Sequence, residues 1–245
     1  MQPGTKTLDT CARLLREPTS LGRGDPKSTL ETHGPVLLGI TVVSAAVFGG
    51  VVGSYRGGVQ LAFAAIKLPM LWMLPLLVAL PAVRALHRLC GVGVTYGQVA
   101  LASLVGTARA ALALAVASPA LWLLYSVDVD YHIAILALCG SLLAAGAVGL
   151  VTTARILPGQ GANKTAASAL ALAAMGVVFA QSGWVLRPFV ARPRADVAFL
   201  RPVESNVFAS LAASWRSARG DYRGWDARAE GLLAKPEETR EGSRE

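Results

Sequence analysis

Acidic residues are nearly missing from the middle of this chain. Between residues 34 and 187 the only ones are Asp128 and Asp130, against eight Lys/Arg. Charge of either sign is scarce overall: 16% of the 245 residues are charged, where soluble domains average about 25%. Mean hydropathy is correspondingly high, +0.50. So little charge cannot coat a soluble domain, and the middle of the chain must face something other than water. Cysteine is also sparse. Cys11, Cys90 and Cys139 are odd in number and irregular in spacing, which excludes a disulfide framework and a metal site of the usual spacings. Cys139 falls inside an apolar run and reads as a small packing residue.

Catalytic signatures are lacking too. There is no H-E-x-x-H, no G-x-S-x-G and no pair of carboxylates within an apolar run. The nearest approach is Asp128-Val129-Asp130, followed by Tyr131 and His132. A lone D-x-D in a short turn serves solvation equally well, and His132 has no second His or Cys beside it. No catalytic, cofactor or metal residue is therefore assigned. The first 33 residues carry no apolar stretch of the kind a cleavable signal peptide needs. They hold instead the breakers Pro18, Gly22, Gly24 and Pro26, and a short amphipathic helix is expected over Thr7–Glu17 through Leu8, Cys11, Leu14 and Leu15.

What the sequence does contain is five apolar blocks: Pro35–Ser54, Leu68–Ala85, Gly97–Tyr125, Tyr131–Ala154 and Thr165–Leu186. A hydrocarbon core about 30 Å thick needs about 20 apolar residues of helix, and four blocks reach that easily. The expected fold is all-α: a polytopic transmembrane helical bundle of about five spans plus amphipathic interfacial helices. The expected divisions are a polar cytoplasmic tail over 1–33, the membrane domain over 34–187, a basic interfacial segment with an amphipathic helix over 188–220, and a disordered charged tail over 221–245. The first block would act as an uncleaved signal anchor.

The blocks differ in character. The first carries Gly49 and Gly53, a small-xxx-small pair that suits either general packing or a dimer face. Tyr55–Ile66 reads as an interfacial helix ending at Lys67, whose ammonium would snorkel to headgroups. The second block holds Pro69, Pro75 and Pro81, which implies a kinked or partly broken helix. The third carries Arg109 near its centre, a costly place for a charge without a partner. A hairpin about Ser126–Asp130 would set Arg109 opposite Gly146 and Gly149, whose small size would make room for the guanidinium. Pro119 leaves open that this block is two shorter pieces. Blocks four and five are rich in Ala and Gly, so the bundle is expected to pack tightly through them. At the exit, Gly183, Trp184, Arg187, Pro188 and Phe189 suit a membrane boundary. Beyond it Phe189, Phe199 and Leu200 could dip into the interface, and Glu204–Arg219 reads as helical.

Two stretches together carry a resemblance. One runs Val52-Gly53-Ser54, Gln60-Leu61-Ala62, Ala65-Ile66-Lys67-Leu68-Pro69 and on to Leu80-Pro81-Ala82; the other runs Gln181-Ser182-Gly183-Trp184-Val185-Leu186-Arg187-Pro188-Phe189-Val190, Phe199-Leu200-Arg201 and Glu204-Ser205-Asn206-Val207-Phe208. Over about 50–220 the chain resembles a family of uncharacterised bacterial multi-pass membrane proteins, sometimes labelled as actin-binding WH2 proteins. It is also distantly similar to Yip1-type five-helix membrane proteins. A WH2 peptide has an L-K-K-T-like strand after its helix, where this chain has Leu21-Gly22-Arg23-Gly24. The resemblance implies the bacterial inner membrane and no catalytic residues.

The net charge of +8 and the pI near 9.9 arise from basic residues spread between the blocks. That distribution fits anionic lipid headgroups and the bilayer as partners, with a homo-oligomer or other membrane proteins beside them, and does not fit nucleic acid. Positive-inside counting places Arg84, Arg88, Arg155 and Lys164 in the cytoplasm with the N-terminal tail. Five spans then leave the C-terminal strip outside, in conflict with its Arg187, Arg192, Arg194 and Arg201; a re-entrant second block would remove the conflict. The expected function is a non-enzymatic membrane protein that organises partner proteins or lipids. The alternative is a small transporter or channel with a polar site around Arg109.

Overall fold

The computed structural model describes residues 3–22, 24–127, 129, 131–159, 161–187, 189–190 and 199–200, with the side chains of 3–6 and 132 left out. Asp128, Asp130 and Pro188 fall outside this set, as do the helix expected over Glu204–Arg219 and the tail over 221–245. The described chain is all-α, a bundle of six helices: α1 (Pro3–Arg16), α2 (Pro26–Ser54), α3 (Val59–Leu89), α4 (Tyr96–Ser126), α5 (Tyr131–Ile156) and α6 (Gly161–Leu186), with a 3-10 turn at Pro18–Gly22. Helices α2 to α6 are all long and apolar enough to cross a membrane, which makes this a multi-pass membrane protein.

Local chemistry sets most boundaries. Helix α2 starts nine residues before its apolar block because Asp25 accepts a hydrogen bond from the Ser28 N–H (2.9 Å) and Pro26 occupies the first turn. Helix α4 opens on a reciprocal cap. The Gln98 N–H donates to Thr95 Oγ1 (3.2 Å), and the Thr95 N–H donates to Gln98 Oε1 (2.9 Å). Between α2 and α3 the chain reverses at Gly57 and Gly58, whose φ of 78° and 58° suit residues without a Cβ.

That reversal corrects one expectation. There is no separate interfacial helix over Tyr55–Ile66: α3 begins at Val59 and runs on as a single helix through Pro69, Pro75 and Pro81. Lys67 does not snorkel out but is fully buried. The cause is Gly49 and Gly53. A Cβ on Gly49 would collide with the Ala64 carbonyl, and one on Gly53 would lie 2.5 Å from Leu61 Cα. Two backbones this close draw the first turns of α3 into the bundle, and Gln60, Ala64, Lys67, Leu68 and Leu71 form its inner stripe. The glycine pair thus serves packing within the chain. The third block is likewise one helix, unbroken at Pro119.

Helix α4 is central. It packs against α2, α3 and α5, and 67% of its apolar stretch is buried. Helix α2 lies across α3 and α4; α5 flanks α4, and α6 flanks α3. The expectation that the bundle packs tightly through the last two spans does not hold: only 22% of the apolar stretch of α5 and 17% of that of α6 is buried. Their Ala and Gly do bring each against one neighbour, but α5 and α6 scarcely touch each other.

The two ends of the bundle differ. At one, Tyr55 stacks edge-on with Tyr125 (5.2 Å) and donates to the Val129 carbonyl (3.0 Å), while Tyr125 donates to that of Ala134 (3.1 Å). Tyrosines so placed suit a membrane boundary. The other end gathers Lys27, Arg84, Arg88, Arg155 and Lys164 from the ends of α2, α3, α5 and α6. Here α1 returns onto the bundle through Leu14, with Leu21 of the 3-10 turn, packing against Leu37, Ile40, Leu101 and Val105. Of the face expected for α1, Leu14 is buried and Cys11 half-buried, whereas Leu8 and Leu15 face outward.

Candidate functional site

Helices α4 and α5 meet along a seam in which Gly106 lies against Gly149, and Thr153 donates to the Ala102 carbonyl (3.3 Å). This register is within a residue of the one that the hairpin predicts. It also decides where the polar groups point. Thr107 and Arg109 are two residues apart, about 200° around the helix, and so flank the seam on opposite sides.

On one flank, Arg109 is half-buried and donates from Nη1 to Thr152 Oγ1 (2.9 Å), while the Thr152 hydroxyl donates to the Val148 carbonyl (2.7 Å). Contrary to the expectation from sequence, Gly146 and Gly149 therefore do not house the guanidinium. A helical side chain leans toward its own N-terminus, so Arg109 reaches past the level of Gly106 toward Thr152. Gly149 is occupied by the backbone of α4, and Gly146 faces the opposite flank.

On that other flank lies a cleft of about 340 Å³ over the α3–α4 seam, walled by α5 and α6. Trp72, Pro75 and Leu76 of α3 and Thr107 of α4 form its floor; Leu143, Gly146 and Leu150 represent the α5 wall, and Met175, Gly176 and Phe179 that of α6. Its lining is hydrocarbon and aromatic ring apart from Thr107 and Thr153, and Arg109 is not part of it. Trp72 and Phe179 are in ring contact at 4.9 Å. Trp72 is 6% exposed, and its indole N–H has no partner among the described residues. The volume falls within the range of about 300–1,000 Å³ typical of small-molecule pockets. Because α5 and α6 scarcely touch, the cleft opens sideways, toward where lipid lies.

A second assembly joins the exit of α6 to the start of α3. Gln60 donates from Nε2 to the Phe189 carbonyl (2.6 Å), Phe63 meets Phe199 edge-on (5.1 Å), and Lys67 Nζ lies 5.0 Å from the Phe199 ring centre. Phe189 and Phe199, beyond α6, thus lie beside α3. Gly183 faces Leu71, and Arg187 stacks on Trp184 at 3.7 Å. Pro69 sits half-buried within α3, two residues beyond Lys67.

The remaining candidates are dispersed. The D-x-D pair lies outside the described residues, and Cys139 is exposed on α5 and does not pack. All three cysteines are free. Among the described residues no three His, Cys, Asp or Glu gather into a metal site. The sequence reading passed over Trp72 and Phe179, which belong to unremarkable apolar runs, and over Thr152, the partner of Arg109. Only the hairpin register points to Thr152. No protein-family model, no curated protein and no solved structure matches this chain.

Proposed function

We propose that this protein is a non-enzymatic organiser of the bilayer, which holds a lipid chain or an apolar partner segment in the cleft between α5 and α6. The observation that carries this reading is the cleft itself. It is apolar, open toward lipid, and walled by the two spans that the bundle leaves least covered. Its lining offers two hydroxyls and otherwise only apolar surface, which favours retention of an apolar guest over chemistry on it. The basic end of the bundle adds attraction for anionic headgroups. The transporter alternative rested on a polar cavity at Arg109, and the cleft lies on the other flank of α4.

Filling the cleft tests the reading. A Cβ on Gly146 would meet nothing within 4 Å, so Gly146→Leu projects into the cleft without disturbing a helix contact. The wild-type protein, washed in detergent and extracted, is expected to yield bound lipid in fixed stoichiometry, and Gly146→Leu to yield less. Equal retention by both proteins, with equal helicity, would sink the proposal.

A further inference from the structure

The cleft runs along α5 from Thr153, two residues from the exposed Arg155, to Leu142. Eleven residues of helix make about 16 Å, close to half of a hydrocarbon core about 30 Å thick. Its α5 wall therefore spans one leaflet, the one at the basic end, and stops near mid-bilayer. The α6 wall leads to the same place. Lys164 is eleven residues before Met175, about three full turns, and so lies on the stripe of α6 that faces the cleft. Lys164 and Arg155 bracket the connection between α6 and α5, where Lys164 packs beside Gly159. No acid lies on α3, α5 or α6 to offset them. A chain-length apolar groove with Lys164 at its headgroup end, and no acid on the helices that wall it, has the chemistry of a single lipid site.

We propose that the cleft takes one acyl chain of an anionic phospholipid from the leaflet at the basic end, with its phosphate at Lys164. This rests on the reading of the cleft as a holder of apolar chains and names its ligand. The phosphate sits at the interface, where the Lys164 ammonium reaches water and headgroups. The chain passes Leu150 and Thr153 and ends beside Trp72 and Phe179 near the midplane. A zwitterionic lipid fills the groove equally well but brings no net charge to Lys164, so headgroup charge sets the preference.

Trp72 on the cleft floor reports occupancy. Full-length protein with Trp72 as its only tryptophan (Trp122, Trp184, Trp215 and Trp225 each replaced by Phe) is reconstituted in phosphatidylcholine vesicles. These contain a minor fraction of either phosphatidylglycerol or phosphatidylcholine brominated along its acyl chains. At equal mole fraction the brominated phosphatidylglycerol is expected to occupy the quenching site with a preference of about five-fold, the scale of one basic side chain acting on an anionic lipid. The preference should vanish in Lys164→Gln and persist in Arg155→Gln, whose side chain lies on the other flank of α5, and Gly146→Leu should protect Trp72 from both lipids. Equal quenching by the two lipids would overturn the anionic assignment while the chain-holding reading stood. Quenching by neither would overturn both. Quenching that Gly146→Leu does not reduce would place the lipid outside the cleft and overturn the site.

Discussion

Gly106 of α4 and Gly149 of α5 are packed so closely that a Cβ on Gly149 would lie 2.9 Å from the Gly106 carbonyl oxygen. Backbone meets backbone there, and everything that α5 contributes to the cleft is positioned by that contact. Gly106→Ala would drive a methyl into the Gly149 carbonyl and Thr153. Overpacking of this kind costs about 1–3 kcal/mol. Gly140 lies in open space on α5, so Gly140→Ala should change stability by less than about 0.5 kcal/mol. Reversible unfolding in mixed micelles, with helicity as the signal, checks the pair; equal stability of the two variants would contradict the seam.

Arg109 and Thr152 form a hydrogen bond between helices, and such bonds in membrane proteins average about 0.6 kcal/mol, with a maximum near 1.7. Thr152→Val should destabilise by that amount and leave the guanidinium without its partner. Arg109→Leu should be neutral or stabilising, because Thr152 keeps the Val148 carbonyl as acceptor and the cost of holding a half-buried cation is removed. The same unfolding assay separates them. A larger loss in Arg109→Leu than in Thr152→Val would return Arg109 to a role beyond this bond.

The contact of Phe63 with Phe199 offers a check on the folded-back exit strip. In a background with Cys11, Cys90 and Cys139 replaced by Ala, cysteines at positions 63 and 199 should link through a short bifunctional reagent. Gln60→Leu, which removes the hydrogen bond to Phe189, should lower the yield several-fold. Undiminished linking in Gln60→Leu would mean that this bond does not hold the strip.

Five spans put the basic end and the tyrosine-lined end on opposite faces of the membrane. Single cysteines at Arg88 and Arg155 should react with an impermeant maleimide from the cytoplasmic side, and one at Arg56 from the other. Labelling of Arg56→Cys and Arg88→Cys from the same side would reinstate a re-entrant second span.

Much of the bundle was legible because hydropathy reports length directly. The span that begins at Tyr96 was placed to within a residue, and so was the α4–α5 register, which follows from a short turn between two helices. What escaped depends on close approach of backbones. Gly49 and Gly53 pull Lys67 inside, whereas composition alone sends a lysine between two apolar runs to the surface. Small residues in α5 and α6 promised tight packing, but a small residue permits contact without saying with which neighbour. Each helix packs closely on one partner, and the space between the two remains. The cleft is the negative of two separate contacts, and no single stretch of sequence encodes it.

The N-terminal segment adds a constraint on how the molecule is made. A Cβ on Gly22 would collide with Ile156, so the turn that follows α1 rests against the far end of α5. Synthesis produces Gly22 some 130 residues before Ile156. Leu14 and Leu21 can settle against Leu37, Ile40, Leu101 and Val105 once α4 has emerged, but Gly22 lacks its neighbour until the fourth span is complete. The basic end of the bundle therefore closes only as one of the last steps of assembly.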